Sequence, residues 1–175
     1  MMALDAFFAK IVDKFPVQIA SNRWREVPGG WSGAKSLGRG YDDRAIVDKV
    51  VAATRLAAAD PEVWERDSVV FRGSDPHWQI LSSLLYAWGD SSRTLRVADF
   101  GGSLGSLWWR HRGMLSKRGN VLWTVVEQPL FVAAGEEFAG TELRFSECIP
   151  EFVDVLLASC VLNYLEAPYE HLALF

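Results

Sequence analysis

Apolar positions change their period along this chain. Near the start, Leu4, Phe7, Phe8, Ile11 and Phe15 recur at helical spacing up to Pro16. A stretch rich in Gly and Trp follows, RWREVPGGWSGAKSLGRGY over Arg23–Tyr41, and its Gly and Ser content predicts a loop without regular backbone. DDRAIVDKVVAATRLAAA then predicts a helix capped by Asp42 or Asp43, with Ile46, Val47, Val50, Val51 and Thr54 on one side. WQILSSLLYAWGD, after Pro76, predicts another that ends at Gly89. Beyond that point the apolar residues come as short, near-continuous runs: Leu95–Phe100, Val121–Glu127, Leu143–Ser146 and Phe152–Val161. Helical patterns separate them, first one carrying Leu107, Trp108 and Leu115, then FVAAGEEFA, and a last helix starts near Pro168.

Strand and helix in alternation predict an α/β fold with a parallel sheet covered on both faces. Near-continuous apolar strands suit burial on both sides. The change of period divides the chain into an N-terminal helical and loop cap, residues 1–90, and a sheet-bearing core, residues 91–175.

Composition narrows the classes. Of 175 residues, 50% are hydrophobic and 13% aromatic, enough for a real core. The net charge is −4 with both signs interspersed, so no basic patch for nucleic acid is expected. Cys148 and Cys160 form no C-x-x-C pair and read as buried thiols. His77, His111 and His171 are scattered, and no metal site is expected. The N-terminal run has Asp5 where a signal peptide is basic, and no stretch is long enough to span a bilayer, so a cytoplasmic protein is expected. The apolar face of the first helix packs on the domain or, as the alternative, touches a membrane surface or a partner.

The candidate chemistry begins at VADFGGSLGSLWW. An acid, Asp99, closes the first strand, and Gly101, Gly102, Ser103 and Gly105 follow before the next helix. Ligands of open α/β sheets bind at strand carboxyl ends, where small residues allow close approach to the backbone. Glu127 ends the second strand 22 residues after Gly105, at the place where nucleoside-binding sheets use an acid on the ribose hydroxyls. A dinucleotide oxidoreductase would want G-x-G-x-x-G here, and the small residues run G-G-S-L-G instead. Candidate proton acceptors are Asp42, Asp75 and His77, and Trp31 and Tyr41 flank the Gly-rich loop with aromatic faces suited to a cation. Glu65, Arg66 and Asp67 read as a solvated charge run.

The segment from Asp99 to Gly105 resembles the first motif, D/E-x-G-x-G-x-G, of the class I S-adenosylmethionine-dependent methyltransferases, with Ser103 in place of the middle glycine. FVDVLLASCVLNYLEAP resembles that superfamily's fourth-strand pattern through Asp154, Val155, Val161, Leu162, Tyr164 and Leu165. More closely, GGW-x-G at Gly29–Gly33, GYD at Gly40–Asp42, ERDSVVF at Glu65–Phe71, DFGGSLGS at Asp99–Ser106 and W-x-VVEQP at Trp123–Pro129 resemble a small bacterial family of methyltransferases, from about Trp24 to the chain's end. The resemblance implies a Rossmann-like sheet in the order third, second, first, fourth (3-2-1-4), with strands five to seven of the superfamily absent, under an N-terminal helical cap. It implies S-adenosyl-L-methionine held by Asp99, Phe100, Gly101, Gly102, Ser103, Gly105, Glu127, Gln128 and Ser159. It implies a small-molecule or saccharide acceptor near Trp31, Tyr41, Asn163 and Tyr164, with Asp42, His77 and Tyr164 as catalytic candidates and a role in polysaccharide biosynthesis. The early stop raises two alternatives, a non-catalytic S-adenosylmethionine-binding protein and a partner chain that completes the sheet.

Overall fold

A computed structural model describes residues 27–37, 43–90 and 92–174. The chain divides into two compact units, Met1–Gly38 and Arg39–Phe175. The first helix predicted from the sequence, with Leu4–Phe15, lies outside the described residues, as do Tyr41 and Asp42.

Within the first unit the Gly-rich stretch is partly helical: α1 covers Gly30–Ser36, which corrects the expectation of an irregular loop. Gly29 adopts a left-handed conformation (φ 85°) before it. A Cβ on Gly33 would come within 2.0 Å of the Pro28 carbonyl oxygen, so that glycine lets the turn close over the helix.

In the second unit, α2 (Arg44–Ala59) starts where Asp43 accepts the Ala45 N–H, and it buries Val47, Val50, Ala53, Thr54 and Ala57. A hairpin follows that the sequence reading missed. Strands β1 (Val63–Arg66) and β2 (Val69–Arg72) pair antiparallel around a two-residue turn, Asp67 and Ser68, with φ of 53° and 66°. Positive φ at both turn positions matches the strand twist of a tight hairpin. Trp64 stacks on Phe71 at 4.3 Å, and the Arg110 guanidinium sits 4.1 Å over the Trp64 ring. Glu65 is 1% exposed, so only the Arg66 and Asp67 part of the expected charge run faces solvent.

Helix α3 (Trp78–Trp88) leads to the sheet. Strand β3 (Leu95–Phe100) is followed by α4 (Ser106–Arg118), β4 (Val121–Val126), α5 (Pro129–Gly135), β5 (Leu143–Ser146), β6 (Val155–Leu157) and α6 (Pro168–Leu174). The order is β5-β4-β3-β6, and every pairing is parallel. Hence the first strand of the sheet in sequence lies in its middle, flanked by the second and the fourth. The core joins sheet residues Leu95, Val97, Trp123 and Val125 to Trp108 and Leu115 of α4, and to Ala57, Val63, Leu81, Leu84 and Trp88 from upstream elements. Because α2, the hairpin and α3 contribute to this core, the unit with the sheet begins at Arg39 and not at residue 91.

The fourth run forms far less strand than expected, three residues in place of Phe152–Val161. Its start is fixed by Asp154, whose Oδ2 accepts the Arg96 N–H at 2.8 Å and whose Oδ1 meets Arg93 at 2.6 Å. Its end is followed by Cys160 at φ 59°, a left-handed conformation that extended pairing does not allow. Cys148 and Cys160 are both exposed free thiols, not buried ones. Among the described residues no helix is long and apolar enough to cross a membrane.

Candidate functional site

Parallel strands bring the ends of β3, β4, β5 and β6 to one edge of the sheet, and a cavity of about 770 Å³ opens there. Its floor comes from the strand ends and the loops after them: Phe100 at the end of β3 with Gly101 and Ser103 beyond it, Val126 at the end of β4 with Glu127, Gln128 and Pro129 beyond it, Glu147 after β5, and Ser159–Val161 after β6. Ile46 and Val50 of α2, Phe131 of α5, and the hairpin turn Asp67–Ser68 form further walls. Tyr164 and Leu165 complete the lining.

The small residues are required by what surrounds them. A Cβ on Gly101 (φ 71°) would fall 2.3 Å from Val161 Cγ2. A Cβ on Gly102 would fall 2.5 Å from the Asp99 carboxylate. Ser103 and Gly105 also have positive φ, 58° and 84°, so left-handed residues alternate through the turn and aim its amides differently from a helix. One of them is used at once: the Ser103 N–H donates to Glu127 Oε1 at 3.1 Å. The Gln128 N–H donates to Glu127 Oε2 at 2.9 Å. A carboxylate has about four acceptor positions, so two remain for a ligand. Burial pushes the Glu127 carboxyl up, against the opposing pull of those two amides.

Asp99 does not line the cavity. It is 1% exposed, beneath the glycine turn, with the Trp123 indole N–H donating to its Oδ2 at 3.2 Å. Burial pushes its carboxyl up to about 7; the Trp123 donor opposes the shift and the Glu127 charge adds to it. Asp99 is thus a support under the turn, filling the space that Gly102 leaves free.

The structure therefore gathers Phe100, Gly101, Ser103, Glu127, Gln128, Ser159 and Tyr164 around one cavity. Gly102 and Gly105 shape its turn from outside the lining, and Asn163 is exposed beside Tyr164 but outside it. His77 is not at the cavity: it caps α3, and its N–H donates to Nε2 of buried His111 at 3.0 Å. Nor is Asp75, whose carboxylate and carbonyl both hold Arg110. Trp31 lies half-buried on α1 of the other unit. Sequence reasoning missed Asp67, Ser68, Glu147 and Cys160 as lining residues. The available signal for the hairpin was two short segments, VWER and VVFR, separated by Asp-Ser, a weaker turn pair than Asn-Gly or Asp-Gly.

Among the described residues the lining holds three acids, Asp67, Glu127 and Glu147, and no Lys, Arg or His. Such a cavity suits a ligand with hydroxyls and positive charge and offers a pyrophosphate no cation. No group of His, Cys, Asp and Glu side chains among the described residues is arranged to hold a metal ion. No protein-family model and no curated protein sequence matches the chain.

Proposed function

We propose that the protein is an S-adenosylmethionine-dependent methyltransferase acting on a hydroxyl or amine of a small or saccharide-linked acceptor. The observation that carries this reading is the pairing of Glu127 with the glycine turn. The acid at the end of β4 is bonded to the Ser103 amide of the turn after β3, and both border one cavity. The free positions of the Glu127 carboxylate suit two ribose hydroxyls. Gly101 keeps the backbone bare where the ligand approaches. The three acids of the lining, with no basic residue beside them among the described residues, support a sulfonium ligand over a dinucleotide.

Bound S-adenosylmethionine would supply an activated methyl group on a neutral leaving sulfur. What the chain's own residues contribute is positioning and exclusion of water, which can carry most of the barrier reduction for such an in-line displacement. Ile46, Val50 and Phe131 give the cavity an apolar wall. Among the described catalytic candidates Tyr164 borders the cavity, where its hydroxyl could orient an acceptor.

The outer edge of β6 pairs with no strand among the described residues. That edge supports a second reading, a cofactor-binding chain that works with a partner strand. A ligand panel tests the cofactor that both readings share against a dinucleotide: S-adenosylmethionine, S-adenosylhomocysteine, NAD, NADP and FAD, each tested for thermal stabilisation of the full chain. The proposal expects stabilisation by the two adenosyl-sulfur compounds and none by the dinucleotides. Stabilisation by a dinucleotide alone would replace it with the oxidoreductase reading.

A further inference from the structure

One buried carboxyl outside the cavity has no role in the reading above. Glu65 is 1% exposed in β1, yet it sits at the junction of two cavity walls. Its Oε1 accepts the hydroxyl of Ser106, the first residue of α4. Its Oε2 makes no hydrogen bond of ordinary geometry. Two residues further on lies the hairpin turn, whose Asp67 and Ser68 line the cavity. On the other side of the bond, Ser106 follows directly on the glycine turn, whose Gly101 and Ser103 also line it.

An acid in this place is costly. Burial pushes its carboxyl up, and only the Ser106 hydroxyl and the nearby Ser68 amide oppose that. Packing alone would be served as well or better by an apolar side chain of similar size. A half-satisfied buried acid therefore calls for an explanation other than stability.

We infer that Glu65 is a positioning residue: through Ser106 it clamps the hairpin turn to the glycine turn and so holds two walls of the cavity at a fixed separation. The inference rests on the methyltransferase reading for its choice of ligand. Trp64, stacked on Phe71 and donating its indole N–H to the Gly73 carbonyl at 3.2 Å, keeps the hairpin itself rigid. The clamp then acts on where the hairpin sits and not on whether it forms.

The test compares Glu65→Gln, Glu65→Leu and Ser106→Ala in the full chain by melting temperature, S-adenosylhomocysteine titration and amide exchange without ligand. Glu65→Gln keeps an acceptor for Ser106 and should bind within about threefold of the wild type. Glu65→Leu should melt no lower than the wild type, yet bind about tenfold or more weakly, with faster exchange in both 66–72 and 101–106. Should Glu65→Leu fail to fold, Ser106→Ala cuts the same bond from the partly exposed side and should weaken binding by about three- to tenfold. Unchanged binding and exchange in a folded Glu65→Leu or Ser106→Ala would overturn the clamp. A wild type that does not bind S-adenosylhomocysteine would sink the methyltransferase reading instead. The exchange data would then decide the clamp alone: faster exchange in both segments upholds it, and faster exchange confined to the hairpin overturns it.

Discussion

At the residue scale, two buried titrating groups pull stability in opposite directions. The Asp99 carboxyl moves from 3.8 to about 7 on folding, so its contribution is fully present below pH 4 and is lost as the pH rises through 7. The upper bound of that loss is about 4 kcal/mol. His111 does the reverse. Burial holds its imidazole down at about 4 from 6.5, so its contribution is present above pH 6.5 and is lost as the pH falls towards 4. The two nearly offset each other between pH 4 and 7, and only a variant separates them. Asp99→Asn keeps an acceptor for the Trp123 indole and removes the charge. Its melting temperature relative to the wild type should therefore rise between pH 5 and pH 8, and a gap independent of pH would contradict the buried carboxylate. Gly102→Ala puts a methyl group on the Asp99 carboxylate and should cost about 1–3 kcal/mol in chemical denaturation.

At the element scale, two strands of the sheet were the most legible parts. The runs read from the sequence as Leu95–Phe100 and Leu143–Ser146 have the same bounds as β3 and β5. The β6 segment was misjudged because FVDVLLASCV is apolar at most positions, while its pairing is set by the Asp154 side chain and by the backbone of Cys160. Asp154→Ala should thus loosen β6 more than its surface position suggests, by about 1–3 kcal/mol, since a charge-assisted bond to the Arg96 amide and an ion pair to Arg93 go together. The hairpin was hidden for another reason. Its four-residue strands are too short to show a period, and its inward acid looks like a surface charge. A control on ordinary helix physics is Gly113 in α4, where a Cβ meets nothing within 4 Å. Gly113→Ala should raise stability by about 0.5–1 kcal/mol in thermal unfolding, and a loss would contradict the exposed helical placement.

At the scale of the whole molecule, half of the site was written in one continuous stretch and half was not. The glycine turn and Glu127 stand out because a strand end that holds a ligand needs small residues and an acid at fixed places. The opposite wall depends on how α2 and the hairpin pack against the sheet, and that packing joins residues some 40–80 positions apart, such as Val50 with Phe131 and Glu65 with Ser106. No local pattern encodes such a pairing. His77 and Asp75 lie away from the cavity for the same reason, since the His77 N–H is held by His111 and the Asp75 carboxylate by Arg110, both on α4. The measurement that bears most directly on the central claim is calorimetric titration of the full chain with S-adenosylhomocysteine, beside Glu127→Ala checked for native folding. The account predicts saturable binding by the wild type and a loss of about tenfold or more in Glu127→Ala. A folded wild type that releases no heat of binding, or a Glu127→Ala variant that binds equally well, would contradict it.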